Sequence, residues 1–163
     1  MRVISSVPGF KWTSVWRDAD KENHFAMLSV YASFDAGQEA WDKLLKSDAL
    51  YDSFKLLDTP PDIQRFTPDW TIGATAEALN VGEFMSIFED DAGTGEREEI
   101  LEEWRTHSRS VESLPGFIGA SALHRETSDA ELLFTMFWRD RISFLGSVTP
   151  VTEKKTRLYE RIG

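Results

Sequence analysis

Residues 94–138, TGEREEILEEWRTHSRSVESLPGFIGASALHRETSDAELLFTMFW, decide the fold of this chain. Ile100, Trp104, His107, Val111 and Leu114 stand four, three, four and three residues apart, which lays them in one stripe along an α-helix. His107 is the one titratable residue of that stripe. The helix stops at Ser113-Leu114-Pro115-Gly116-Phe117. Pro115 disfavours helical geometry at Leu114, and Gly116 accepts the turn that follows. From Phe117 an apolar strand runs to about Leu123. A polar turn, Arg125 to Asp129, leads into a second strand, Glu131 to Trp138. A helix fed straight into a hairpin is half of a small α+β sandwich.

Upstream, Glu83 to Phe88 predicts a strand apolar on both faces, joined to the helix by the acidic turn Glu89–Gly95. Downstream, Arg141 to Val148 predicts a short helix broken by Pro150, and Thr156 to Ile162 a last strand. The order from Glu83 is therefore β-α-β-β-α-β, the ferredoxin-like plan.

The beginning of the chain echoes this plan. Ser6-Val7-Pro8-Gly9-Phe10 repeats Ser113-Leu114-Pro115-Gly116-Phe117. Extended without a gap, the match sets Ser14 on Ser121 and the turn Asp18–Asn23 on Arg125–Ala130. Phe25-Ala26-Met27 then falls on Leu132-Leu133-Phe134, and Tyr31 on Trp138. A common offset for strand, turn, strand and aromatic terminus points to an internal repeat. A helix follows, with Asp35 as the expected N-cap and Ala40, Trp41, Leu44, Leu45, Ala49, Leu50 and Phe54 as its apolar positions. Ser47-Asp48 is a candidate interruption, and Pro60-Pro61 ends the region. Ile63 to Phe66 reads as a short strand stopped by Pro68. Asp69–Asn80 reads as a linker, with any helix at Thr75–Leu79 a short one. The first half is then β-β-α-β, the same plan without its opening strand and helix. The expected organisation is a partial repeat over 1–68, a linker over 69–80 and a complete repeat over 81–163.

Composition narrows the function. Of 163 residues 41% are apolar, with 11 Phe and 6 Trp, enough for a real core. A net charge of −10 opposes nucleic-acid binding. The absence of cysteine excludes thiol catalysis and thiolate metal sites. No apolar run reaches a membrane-spanning length and no signal-peptide core follows Met1, so a cytoplasmic protein without membrane attachment is expected.

The helix ending in SLPGF, the hairpin ALHRETSD and the strand LLFTMFW resemble the dimeric α+β barrel superfamily, and within it the antibiotic-biosynthesis-monooxygenase-like domains. AWDKLLKSDALYDSFK similarly resembles that family's second helix. The resemblance implies a ferredoxin-like sheet paired with a second one, commonly in a homodimer, although a tandem chain could pair its own halves. In the ferredoxin-like order the opening strand is interior, so a first half lacking it would leave unpaired strand edges. Three arrangements fit: a sequence that begins downstream of its natural start, a gap filled by Asp69–Asn80 or by a partner, or a first half that is a reduced lid on the second.

Candidate site residues are few. His107 is the expected acid–base residue, with Trp104 beside it. Trp138 is a candidate wall for a flat ligand, and Phe134 and Met136 share its strand face. Ser86 places a hydroxyl on an otherwise apolar strand. Each could equally be core, and His124 reads as an exposed rim residue. No metal-ligand spacing appears, and no cofactor is expected. Two functions fit: a cofactor-independent monooxygenase acting on a small aromatic, polyketide-like molecule, or a non-catalytic, stress-responsive barrel holding a small apolar ligand. Haem degradation fits less well. By the resemblance, the haem-degrading members place a Trp and a His where this chain has Leu44 and Phe54.

Overall fold

The computed structural model describes residues 5–48, 52, 55, 57, 59, 61–73, 82–92, 96–147 and 156–162. The expected helix at Thr75–Leu79, and Ala49, Leu50 and Phe54, lie outside these residues. The elements are β1 (Phe10–Asp18), β2 (Phe25–Tyr31), α1 (Phe34–Leu45), β3 (Phe66–Gly73), β4 (Phe84–Asp91), α2 (Arg97–Val111), β5 (Phe117–Arg125), β6 (Ser128–Trp138), α3 (Arg141–Leu145) and β7 (Arg157–Arg161). Among the described residues no helix is long and apolar enough to cross a membrane.

The strands form one sheet in the order β2-β1-β7-β4-β6-β5-β3. Within it β7-β4-β6-β5 is the ferredoxin-like order, with the opening strand β4 held antiparallel between β6 and β7. The fold is thus α+β and ferredoxin-like, as the sequence predicts. Chain contacts divide it into two compact units, one of Met1–Thr13 with Ser29–Gln64, the other of Ser14–Leu28 with Arg65–Gly163.

The first-half strands do not build a sheet of their own. Trp16, Arg17 and Asp18 of β1 face Arg161, Glu160 and Tyr159 of β7. In the same register Leu123, His124 and Arg125 of β5 face Pro68, Thr67 and Phe66 of β3. β7 thus pairs with the first hairpin, and β3 with the hairpin of β5 and β6. Among the described residues no strand lies beyond β2, which ends the sheet.

The two Pro-Gly-Phe corners are alike bond for bond. Phe10 N–H donates to the Val7 carbonyl at 3.1 Å and Phe117 N–H to that of Leu114 at 3.2 Å. Ala32 N–H donates to Gly9 at 2.7 Å, and Arg139 N–H to Gly116 at 2.8 Å. The ring pair Phe10–Tyr31 is edge-on at 5.9 Å, and Phe117–Trp138 at 5.3 Å. Ser14 and its counterpart Ser121 are both buried. The helices that follow start on caps with the same φ of −154° and ψ of 164°, Ser33 and Asp140. Ser33 and not Asp35 is the N-cap of α1, because its hydroxyl accepts from Ala36 N–H at 3.2 Å. The helix ends at Leu45, where Ser47 Oγ donates to the Leu44 carbonyl at 2.7 Å.

Two sequence expectations are corrected. The strand placed at Ile63–Phe66 instead begins at Phe66 and continues to Gly73, so residues 69–73 are not linker. Pro68 does not stop it, because β3 lies at the end of the sheet and its register shifts between Pro68 and Trp70. An edge strand with a bulge has no need of the proline's missing N–H. The β5–β6 turn is also tighter than predicted, with Arg125 opposite Ser128.

The helix side of the second unit holds two apolar clusters. One contains Phe88, Ala92, Leu101, Ala122, Leu132 and Phe134; the other contains Val111, Ala120, Met136, Trp138, Phe144 and Leu158. The opposite sheet face buries Trp16, Met85, Phe137 and Tyr159, with Trp16 Nε1 donating to Ser14 Oγ at 2.8 Å. The first unit has a smaller cluster of Val7 and Ala40, with Phe10, Tyr31 and Leu44 against it.

Gly9 and Gly116 have φ of +86° and +80°. A Cβ on Gly116 would lie 2.2 Å from Ser143 Oγ, and one on Gly9 2.9 Å from the Ala36 methyl. Both Gly116→Ala and Gly9→Ala should cost about 1–3 kcal/mol of stability in urea unfolding, Gly116→Ala the more. A neutral result at either would remove the strain argument there.

Candidate functional site

The site forms where α2 packs across β5 and β6. Ala120 and Ala122 on β5 are small, which lets the helix come close on that side. On the next strands, in register, Ser86 faces Met136 and Phe88 faces Phe134. These four side chains, with Trp104 and His107 of α2, Phe144 of α3, Ser147 just after it, and Thr156 ahead of β7, line a small cavity. Its volume is about 20 Å³. That is room for a water molecule and not for an aromatic ring.

Five of the six residues singled out in the sequence meet there: Ser86, Trp104, His107, Phe134 and Met136. Trp138 does not. It is fully buried, edge-on to Phe117 at 5.3 Å and to Phe144 at 6.3 Å, and its indole N–H has no partner among the described residues. It follows Met136 on the same strand face, but Phe117 and Phe144 close over it, so it is core and not wall. Phe88, Phe144, Ser147 and Thr156 were missed. Phe88 alone had a signal, two residues after Ser86 on one strand face.

The aromatic lining is tightly coupled. Trp104 lies 4.7 Å from Phe134 at an interplanar angle of 16°, a stacked pair, and 4.6 Å from Phe88 at 36°. His107 meets the Trp104 ring edge-on at 5.7 Å and 88°. The buried positions of α2 are Leu101, Ser108 and Val111. This turns the helix so that His107 lies on the flank of its apolar face, half-buried, and not at its centre. Desolvation lowers its pKa from the usual imidazole value, partly opposed by Glu103 one turn earlier. Among the described residues no hydrogen bond holds its ring. A neutral imidazole beside an apolar cavity, with a free nitrogen, can accept a proton.

His124 was expected to be an exposed rim residue. It is instead part of an ionic cluster that fixes the start of α2. Arg97 Nη2 donates to Asp69 Oδ1 at 2.5 Å, Asp69 Oδ2 lies 3.2 Å from His124 Nδ1, and Arg97 Nε donates to the Asp129 carbonyl at 3.0 Å. The cluster links β3, α2, β5 and β6, and thereby sets where Trp104 and His107 fall over the sheet. Among the described residues no group of His, Asp and Glu side chains could hold a metal.

Comparison with known proteins places this architecture. Residues 84–149 match the family model of antibiotic biosynthesis monooxygenases (ABM). No curated protein matches the chain. Among solved structures, an anthrone oxidase-like protein aligns with a TM-score of 0.69 at 11% identity, over 99% of this chain and 81% of its own. A ferredoxin fold protein related to antibiotic biosynthesis monooxygenases, from Listeria monocytogenes 4b F2365, aligns with a TM-score of 0.60 at 8% identity, over 99% and 86%. A heme-degrading enzyme, also from Listeria monocytogenes, gives 0.59 at 8% identity, over 98% and 90%. At these identities the structures share the fold with this chain. The stretch from β4 through α3, which carries most of the cavity lining, is thus the part of the chain that matches the antibiotic biosynthesis monooxygenase model.

Proposed function

We propose that the protein is a cofactor-independent monooxygenase that acts on a small planar aromatic molecule with an acidic C–H or O–H group. The observation that carries this reading is His107, a half-buried imidazole at the edge of an aromatic cavity, its pKa lowered by desolvation and its ring without a hydrogen bond among the described residues. The ABM match and the anthrone oxidase-like neighbour support the same class of chemistry. In this reading Phe134, Phe88 and Met136 form the floor, and Ser86 offers a hydroxyl for a substrate oxygen. His107 removes the proton, and the resulting carbanion reacts with dioxygen as co-substrate. Burial helps the base in two ways. It keeps the imidazole neutral near pH 7, and it excludes water that would reprotonate the carbanion.

The alternative is a binding module in which the same cavity holds a small apolar ligand without chemistry. Replacing His107 separates the two. With anthrone as probe, the wild type should consume dioxygen, and His107→Phe should slow uptake by roughly 100-fold or more while remaining folded. The wild-type rate should rise with pH through the lowered imidazole pKa and then level off. Uptake undiminished in folded His107→Phe would remove the base and favour the binding module.

The same residue makes a separate prediction about stability. Because its pKa is lower in the folded state than in the unfolded one, the unfolded chain binds more protons between the two values. His107 therefore opposes folding as pH falls below about 6.5, the unperturbed value, and has no such effect above it. Chemical denaturation of wild type and His107→Phe should diverge as the pH is lowered through that window, the wild type losing more. Parallel curves would show that the imidazole is not desolvated.

Haem is not the expected ligand, since Phe54 stands where the resembling haem-degrading enzymes have their histidine. Haemin should give no saturable Soret change with this protein. A stoichiometric shift abolished by His107→Ala would move the ligand to α2 and overturn the aromatic reading.

A further inference from the structure

The cavity and the proposed function disagree in size, and the aromatic stack resolves the disagreement. A planar substrate needs a slot between α2 and the β4–β6 face, yet about 20 Å³ is open there. What fills the slot is the indole of Trp104. It lies flat on Phe134 and close to Phe88, with His107 against its edge, which is how a flat ligand would be held. We infer that Trp104 is a movable plug, and that a planar ligand binds by displacing the indole from Phe134. This rests on the reading of the cavity as a site for a flat aromatic molecule, and it assigns the entry step to one side chain.

Three observations carry the inference. Trp104 is half-buried, whereas Trp16 and Trp138 are fully buried. Trp16 is pinned through its Nε1 to Ser14, and no comparable hydrogen bond holds Trp104 among the described residues. Trp104 also sits mid-helix on α2, between the exposed Glu103 and the part-exposed Arg105, so rotation about its χ1 carries the indole toward solvent without moving the backbone. Removing it would leave a cavity shaped like the ring it vacates, bordered by Phe88, Phe134, Met136 and the His107 imidazole. Until the plug moves, the site has no room for a ring, and the indole edge stands against His107.

The test is the rate at which a flat probe enters. 2-Naphthol, a neutral phenol about the size of indole, would be mixed with wild type, Trp104→Ala and Trp104→Leu in a stopped-flow instrument, with circular dichroism to verify folding. Trp104→Leu keeps an apolar cover should Trp104→Ala fail to fold. In the wild type the observed rate should level off at high probe concentration, at the rate at which the indole leaves. In the variants it should rise linearly and be at least 10-fold faster, with affinity equal or higher. Binding weakened 10-fold or more in the variants would show that Trp104 is a wall that stacks on the ligand. That would overturn the plug and leave the aromatic site standing. Equal, unsaturating rates in all three proteins would also overturn the plug. Absence of binding in all three would overturn both the plug and the aromatic site.

Discussion

The reciprocal strand exchange is the constraint on which the rest of the structure depends. β7 closes the outer side of β1, and β3 closes the outer side of β5. A ferredoxin-like sheet of β7-β4-β6-β5 alone would present two unpaired strand edges, each with a row of backbone donors and acceptors. Here both are occupied from the same chain. The flanking pairings also fix the helix above them. Asp69 sits on β3, and its carboxylate, shared between Arg97 and His124, ties α2 to the edge. The position of the candidate base therefore follows in part from β3, the strand at the end of the sheet.

Much of this fold is legible in the sequence, because its strongest signals are local. The spacing of Ile100 to Leu114, the Pro-Gly stop and the two apolar strands each determine an element through contacts a few residues apart. The repeat of Ser-x-Pro-Gly-Phe is legible for the same reason, since the glycine's positive φ and the two carbonyl bonds around it are set within the corner. The route of β3 is not. Pro68 reads as a terminator until it is known that the strand lies at a sheet edge, and edge position depends on pairing with β5, over fifty residues later. The N-cap shows a finer version of the problem. Ser33 and Asp35 are both good caps by type, and the backbone geometry at Ser33 decides.

The candidate site divides along similar lines. Strand alternation finds Ser86, Phe134 and Met136, and helical spacing finds Trp104 and His107. Neither finds the rotation of α2, which depends on Ser108 packing where a larger residue would be expected. A serine gives no hydropathic reason to be buried, so the stripe read from the sequence is turned away from the real one. Trp138 fails for the opposite reason. Its strand face is right, but whether an aromatic is lining or core depends on what lies above it, and Phe144 comes from an element of five residues with almost no pattern of its own.

The end of the sheet at β2 carries two apolar side chains on its surface. Leu132 and Phe134 are buried under α2, whereas Phe25 and Met27, which the sequence match sets on them, are 55% and 59% exposed. They lie on β2, the strand that ends the sheet. Two bare apolar side chains on an open edge are a surface that attracts other copies of itself. At neutral pH the net charge of −10 keeps molecules apart. As the carboxylates take up protons toward the acidic isoelectric point that repulsion fades, while the apolar strand is unchanged. In mild acid, Phe25 and Met27 at the end of the sheet thus become the surface through which copies would meet.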